Sequence, residues 1–234
     1  MADTLTVASF NLRNGRAFDG CNSWPFRRRA AAALLRELDA DVIGMQEVYG
    51  FQLRYLLRQL PDYAAVGEGR SRRGERNPVL VRGRVQAHAT RWFEVEGARF
   101  PRIATTARVE VGGVPLTFTS THLDERSALR RRTSAAQLLR WFADVEGPHV
   151  IVGDFNDTLG DLMFEAFAAA GYRSALPDDA GGTSHHFTGR GDGRQIDHIL
   201  VPAGVEVLAV SVVHTRPGGR LPSDHWPVVA RIRI

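Results

Sequence analysis

Hydrophobic and polar positions along the chain fall into short strand-like runs broken by helical stripes. Strands are predicted at residues 5–10, 42–46, 79–81, 105–111, 114–121, 149–152, 196–201, 205–214 and 226–234. Helices are predicted at 27–38, 53–60, 127–142 and 162–170, the second stopping at Pro61 and the fourth near Gly171. In the first, Ala30, Ala31, Leu34, Leu35 and Leu38 share a face; in the third, Leu129, Ala136, Leu139 and Phe142 are expected to point inward. The polar stretch 67–78, with Arg70, Arg72, Arg73 and Arg76, reads as a loop.

Gly112-Gly113 separates two alternating runs, a strong hairpin signal, and strands joined by so short a turn must be antiparallel. A purely parallel, doubly wound sheet is therefore excluded. Helices interspersed among many strands, with at least one hairpin, predict an α/β (α+β) chain: two mainly antiparallel sheets packed face to face and covered by helices. Length (234 residues) and a hydrophobic share of 44% suit one core, so 1–234 is read as a single domain.

Charge adds little. There are 30 basic against 26 acidic residues, a formal +4, and every basic residue is arginine. Guanidinium groups bind phosphate in bidentate fashion, which favours an anionic substrate only weakly against a simple compositional habit. The Arg130-Arg131-Arg132 run reads as a solvated face. The single Cys21 allows no internal disulfide and fits a reducing compartment; with no leader-like N-terminus and no apolar run long enough to span a bilayer, the expected location is cytoplasmic.

The chemistry lies in polar residues at strand ends. Asn11, Glu47, His122 and the pair Asp154 and Asn156 follow the C-terminal ends of predicted strands; Asp197-His198 and Asp224-His225 stand at strand starts. In antiparallel sheets the end of one strand sits beside the start of its neighbour, so all can meet on one rim. Singly, each has an ordinary reading: a turn residue, a helix N-terminal carboxylate, a hydrogen-bonded histidine. Jointly they form a site. Carboxylates, amides and histidines are what phosphate-ester hydrolysis needs, with a metal or arginine to neutralise charge and a carboxylate to activate water.

The segments carrying these residues are Ser9-Phe10-Asn11-Leu12-Arg13, Met45-Gln46-Glu47-Val48, Ser120-Thr121-His122-Leu123, Gly153-Asp154-Phe155-Asn156, Ile196-Asp197-His198-Ile199 and Ser223-Asp224-His225-Trp226-Pro227-Val228. In this order they resemble the endonuclease/exonuclease/phosphatase (DNase I-like) family. Asn77-Pro78, Arg102-Ile103-Ala104, Thr183, His186 and Phe187 also look like family positions. The resemblance implies a four-layer α-β-β-α sandwich and an Mg²⁺-dependent hydrolase, with Mn²⁺ as the alternative ion. It implies metal binding by Glu47 with Asn11 beside it and Asp224 near, and water activation by Asp154. It implies phosphate contacts from Asn156, His122, Arg102 and Asn11, an Asp224–His225 pair, and Asp197 fixing the tautomer of His122.

Two departures bear on substrate. Apurinic-site endonucleases of the family usually carry a lysine after the metal glutamate; here Val48-Tyr49 follows Glu47. The Gln-Glu-Val form is closer to phospholipase, sphingomyelinase, deadenylase and sugar-lipid phosphatase branches, and to small bacterial metal-dependent hydrolases. The stretches 61–101 and 172–195 are long enough to shape a groove. They hold Arg70, Arg72, Arg73, Arg99 and Arg190 but few aromatics (Tyr63, Trp92, Phe93, Phe100, Phe187) for stacking bases. A small phosphate ester or headgroup is preferred, a nuclease acting on DNA or RNA being the alternative. A non-catalytic phosphate-ligand module would lack one of the stations, and all are filled. A zinc hydrolase would need close histidine pairs, which His185-His186 and His198 do not form.

Overall fold

The computed structural model describes residues 4–69, 74–97 and 101–234. Arg70, Arg72, Arg73, Arg99 and Phe100 lie outside the described residues. Each of two six-stranded sheets holds a single parallel pair among antiparallel neighbours. In the first, β1 (Thr4–Asn11) runs parallel to β2 (Val42–Gln46), joined through helix α1 (Trp24–Glu37). Around them lie β13 (Glu206–Val212), β14 (Val228–Arg233), β6 (Val79–Val81) and β4 (Ala64–Val66), in the order β13-β14-β1-β2-β6-β4. In the second, β9 (Val114–His122) runs parallel to β10 (His149–Asp154), joined through α3 (Ala128–Phe142). Its order is β11-β12-β10-β9-β8-β7, with β11 at Tyr172–Ser174, β12 at Asp197–Pro202, β8 at Ile103–Val111 and β7 at Arg84–Trp92. A two-stranded ribbon, β3 (Val48–Tyr49) with β5 (Glu75–Arg76), caps one end, and α2 (Gly50–Gln59) and α4 (Leu162–Ala169) complete the helices.

Strand periodicity sorts side chains into three cores, which is what makes four layers. Leu5, Val7 and Val42 point between the sheets, against Val109, Phe118, Val150, Val152 and Ile199. Their alternates Ala8, Phe10, Ile43 and Met45 face Ala31, Leu34, Leu35 and Leu56 of α1 and α2. Ile151 and Leu200 face Ala135, Leu138, Phe164 and Phe167 of α3 and α4. The sheets approach closely at Gly44, where an added Cβ would lie 2.3 Å from Val152 Cγ2. Toward the C-terminal end of β2 the inter-sheet layer turns polar: Gln46 Nε2 donates to Ser120 Oγ (3.2 Å), and Ser120 Oγ donates to Met45 O (3.0 Å).

The expected strands and helices are present with shifted ends. The Gly112-Gly113 turn has φ of 58° and 89°, the left-handed pair that such a hairpin requires. The first helix starts earlier than its apolar stripe, at Trp24, because Pro25 fits a first turn. Two expectations fail, and one strand was not predicted. Residues 84–92 form a strand whose outer edge and faces are largely exposed, so no alternation marks it. On α3, Leu129 is 74% exposed and Ala136 is exposed; the inward face is Arg131, Ser134, Ala135, Leu138 and Phe142. The arginine run is not a solvated face: Arg131 is buried against Asp157, while Arg130 and Arg132 pair with Asp124 and Asp161. The capacity of Asp124 and Asp161 to accept backbone N–H bonds at helix starts holds these pairs in place.

His149 is buried between Thr119 Oγ1 and Tyr172 Oη, each 2.9 Å away. Burial pushes its pKa down to about 4, so it folds neutral. The unfolded chain takes up this proton below about pH 6.5 and the folded protein only near 4, so stability falls across that window and levels off below it. The loss is about 3 kcal/mol. His149→Gln is expected to shrink the difference in urea-unfolding free energy between pH 7 and pH 4.5 by roughly 2–3 kcal/mol. An unchanged difference would contradict the assignment.

Candidate active site

The two parallel pairs place their C-terminal ends side by side, and the site is built there. Asn11 closes β1 and Glu47 follows β2; Glu47 takes φ of 59°, a left-handed conformation uncommon outside glycine, which turns its carboxylate back over the strand ends. Its Oε2 accepts the backbone N–H of Asn14 (2.9 Å) and its Oε1 accepts Asn11 Nδ2 (3.2 Å). The same Nδ2 donates to Asp154 Oδ2 (2.9 Å), so one buried amide bridges carboxylates from the two sheets. Asn11 Oδ1 accepts the Arg13 N–H (2.9 Å). Asn11 therefore presents a donor, not an oxygen ligand, to the centre, against its expected place among the metal ligands.

The turn after β10 is fixed by packing. Gly153 lies against the parallel strand, and a Cβ there would stand 2.1 Å from Thr121 O. Phe155 is buried among Phe164, Phe167 and His198. Between these anchors Asp154 faces the rim. Asn156, with φ of 56°, donates its backbone N–H to Asp154 Oδ1 (2.9 Å) and its amide to Leu123 O (3.1 Å). An amide carries two N–H bonds, so one remains for a ligand oxygen.

Two histidines flank Asp154 Oδ2: His122 Nε2 at 3.6 Å and His225 Nε2 at 4.0 Å. Asp197 Oδ2 pairs with His225 Nδ1 at 2.8 Å. The expectation that Asp197 orients His122 is thus corrected. Thr183 Oγ1 accepts the backbone N–H groups of Ile196 and Asp197, and its carbonyl accepts Trp226 N–H (2.7 Å), which holds the two halves of the pair in register. Asp224 does not partner His225 either. It faces Arg13 Nε at 3.6 Å and receives Ser223 Oγ–H at 3.3 Å.

At His122, Nδ1 meets Arg102 Nη1 (3.0 Å) and Glu75 Oε1 (3.4 Å). Arg102 Nη2 is engaged by Glu125, so the guanidinium is braced by Glu125 and His122 with further N–H groups left over. Sequence reasoning missed Glu75, Glu125 and Arg13, which lie in loops or short ribbons with no periodic signal. It also missed Arg27, placed only as a helix residue. The Arg27 guanidinium is buried and donates to the carbonyls of Leu12 (2.6 Å), Arg13 (2.9 Å), Asn22 (2.9 Å) and Pro222 (2.9 Å). It ties the segment after Asn11 to the segment before Asp224. Desolvation lowers its pKa to about 10, leaving it charged at neutral pH. His186 and Phe187 occupy left-handed backbone positions, with the Phe187 ring 5.8 Å from the Arg27 guanidinium carbon. Arg190 is turned away, paired with Asp192.

The electrostatics are set by crowded carboxylates. Burial pushes the His225 pKa down, but Asp197, Asp154 and Asp224 outweigh it and hold the imidazole well above the usual histidine value. For His122, burial and Arg102 oppose protonation while Asp154, Glu75 and Glu47 favour it, and the net direction is upward. His185 and His198 go the other way, to about 4, chiefly through burial. Among the described residues, Asp154, Asp197 and His225 form the one group of acidic, histidine or cysteine side chains whose ligand atoms all lie within 4.8 Å of one another. Asp197 Oδ1 is buried without a hydrogen-bond partner. Outside that group, Glu47 reaches Asp154 through the Asn11 amide, and Asp224 faces Arg13. That oxygen-rich, net-negative set fits a hard divalent cation.

The sequence profile of the Endonuclease/Exonuclease/phosphatase family matches residues 8–225. No curated protein matches the chain in sequence. Among solved structures, a family protein from Bacteroides thetaiotaomicron superposes with a TM-score of 0.92 at 25% identity, covering 100% of this chain and 99% of that one. A mannosyl-6-phosphatase from the same organism superposes with a TM-score of 0.88 at 25% identity, covering 97% and 99%. D. rerio TDP2 complexed with a single-strand DNA product shares the fold, with a TM-score of 0.81 at 16% identity and coverage of 99% and 100%.

In metal-free protein, the His225 ring is expected to titrate well above the usual histidine range by NMR, and Asp197→Asn to bring it down. A ring that titrates normally in both proteins would refute the pairing as the cause.

Proposed function

The chain belongs to the endonuclease/exonuclease/phosphatase family, and from that premise we propose that it is a divalent-metal-dependent phosphoesterase acting on a small phosphate monoester. The observation that carries this is the Asn11 amide joining Glu47 to Asp154 at one rim, with the Asp197–His225 pair behind. Mg²⁺ is the expected ion and Mn²⁺ the alternative. Glu47 would hold it, with Asp224 as a further carboxylate. When bound, such an ion neutralises phosphate charge and stabilises the leaving oxygen.

The chain's own residues supply the rest. Asp154 is oriented by Asn11 Nδ2, which donates to Oδ2, and by the N–H of Asn156, which donates to Oδ1; the second lone pair of Oδ2 takes a proton from an attacking water. His225, charged through Asp197, directs Nε2 toward the same space, with 4.0 Å to Asp154 Oδ2. That spacing leaves room for a ligand oxygen between the two groups. His122, held at Nδ1 by Arg102 and Glu75, points Nε2 at the phosphate position. The remaining N–H of Asn156 binds a phosphate oxygen. Attack is in line, with inversion at phosphorus.

A monoester is favoured over a nucleic acid on two grounds. The mannosyl-6-phosphatase matches nearly end to end at 25% identity, whereas TDP2, at 16%, testifies to fold alone. Among the described residues the stretches expected to line a groove supply few rings for base stacking: Tyr63 and Phe93 are buried, the Phe93 ring stacks on Trp141 at 5.1 Å, and Trp92 and half-buried Phe187 remain.

Purified protein is assayed with Mg²⁺ against hexose 6-phosphates, nucleotides, bis-p-nitrophenyl phosphate and single-stranded DNA. Hydrolysis of a sugar phosphate, abolished by EDTA and restored by Mg²⁺ or Mn²⁺, is expected. Asp154→Asn and His225→Ala should each lower kcat by about 10²–10⁴ with the thermal unfolding midpoint little changed. Cleavage of DNA in preference to every monoester would overturn the substrate class; no hydrolysis of any ester would overturn the enzyme.

A further inference from the structure

The two helical layers hold their arginines differently. On α3, Arg130, Arg131 and Arg132 each lie within 4.0 Å of a carboxylate. On α1 and α2, Arg28, Arg29, Arg36, Arg54 and Arg58 are all exposed, and among the described residues none has a carboxylate oxygen within 4.0 Å. These two helices contain one acid, Glu37. Where the arginines have partners, the partners are neutral. Arg28 lies over the Tyr55 ring at 5.1 Å, and Arg36 donates to the carbonyl and amide oxygens of Gln59. They wall a groove floored by Ala32. Among the described residues, Arg28, Arg29 and Arg36 line this groove and Arg54 and Arg58 stand exposed on the neighbouring helix, all without a carboxylate partner.

Two exposed aromatic rings adjoin it. Phe18 is 95% exposed and Phe26 58%. The peptide N–H of Asp19, next to Phe18, donates to Ser23 Oγ (3.1 Å), and the Phe26 N–H donates to Ser23 O (3.0 Å), so the two segments are tied to one residue. The loop carrying Phe18 begins directly after Asn11, and its Arg13 bonds Asp19 and faces Asp224. The phenylalanines therefore border the mouth of the active site. Uncompensated arginines beside protruding apolar rings fit a surface with phosphate charge outside and hydrocarbon just beneath. A nucleic-acid duplex, its bases stacked inside, would meet the arginines but leave Phe18 in water, and a second copy of this face would be repelled.

We infer that the outer face of α1 and α2, with Phe18 and Phe26, docks on an anionic lipid bilayer and brings the catalytic rim to the membrane surface. The arginines supply salt-sensitive attraction, and the two rings enter the headgroup–acyl boundary. Nothing in this contact requires hydrolysis, so it stands or falls separately from the proposed activity.

The test is flotation of the full chain with vesicles of phosphatidylcholine alone or mixed equally with phosphatidylserine. Binding is expected only to the mixed vesicles, and raising salt to molar strength should weaken it. Arg28→Gln with Arg29→Gln should weaken it on the order of tenfold. Phe18→Ser with Phe26→Ser should weaken it at every salt concentration. Both double variants should hydrolyse a soluble ester as the parent does and retain its circular dichroism, which separates loss of docking from loss of folding. Absence of vesicle binding, binding unchanged in both variants, or selective capture of duplex DNA by this face would each overturn the proposal.

Discussion

One constraint organises the molecule: each sheet contains a single parallel pair, and parallel neighbours must end together. The pairing of β1 with β2 sets Asn11 opposite Gln46, immediately before Glu47. The pairing of β9 with β10 sets His122 opposite Asp154. Antiparallel partners then begin where these strands end, which delivers Asp197 beside Asp154. Helices α1 and α3 make the two parallel crossovers, and their apolar stripes are buried for that reason. The site is a by-product of strand direction before it is a matter of particular side chains.

Bringing like charges to one rim is unfavourable, and the surrounding structure offsets it locally. The donors used are backbone N–H groups, one bridging amide, and histidines whose protonation the carboxylates themselves favour. Left-handed backbone at Glu47 and Asn156 aims side chains that an ordinary turn would point elsewhere. Buried Arg27 adds a full positive charge beneath the rim, spread over four carbonyls instead of a carboxylate. It holds two distant segments together without quenching the acids.

Much of this was legible in the residues alone, and the limits are instructive. Strand runs marked every station, because polar groups at strand ends stand where an apolar run stops. The hairpin at Gly112-Gly113 was sufficient to reject a parallel sheet. Pairing within the site was not legible: Asp197 was matched to His122, and only the positions of β12 and β14 give it to His225. Arg102 carries the charge that a phosphate ligand needs, and its neighbours Glu125 and His122 were not foreseen. The α3 face was misread because a buried, ion-paired Arg131 looks polar in a hydropathy pattern, which displaced the apparent apolar stripe onto Leu129 and Ala136. Strand β7 escaped notice because an exposed edge strand has little to alternate.

The contact at Gly44 has a mechanical corollary. With no side chain there and Val152 seated against the bare backbone, the sheets interlock like a peg in a socket, a few residues below the chemistry. Sliding one sheet over the other would unseat that peg. Accommodation of differently shaped ligands is therefore left to the loops above the strands, while the strand-borne groups keep fixed separations as a stiff anvil.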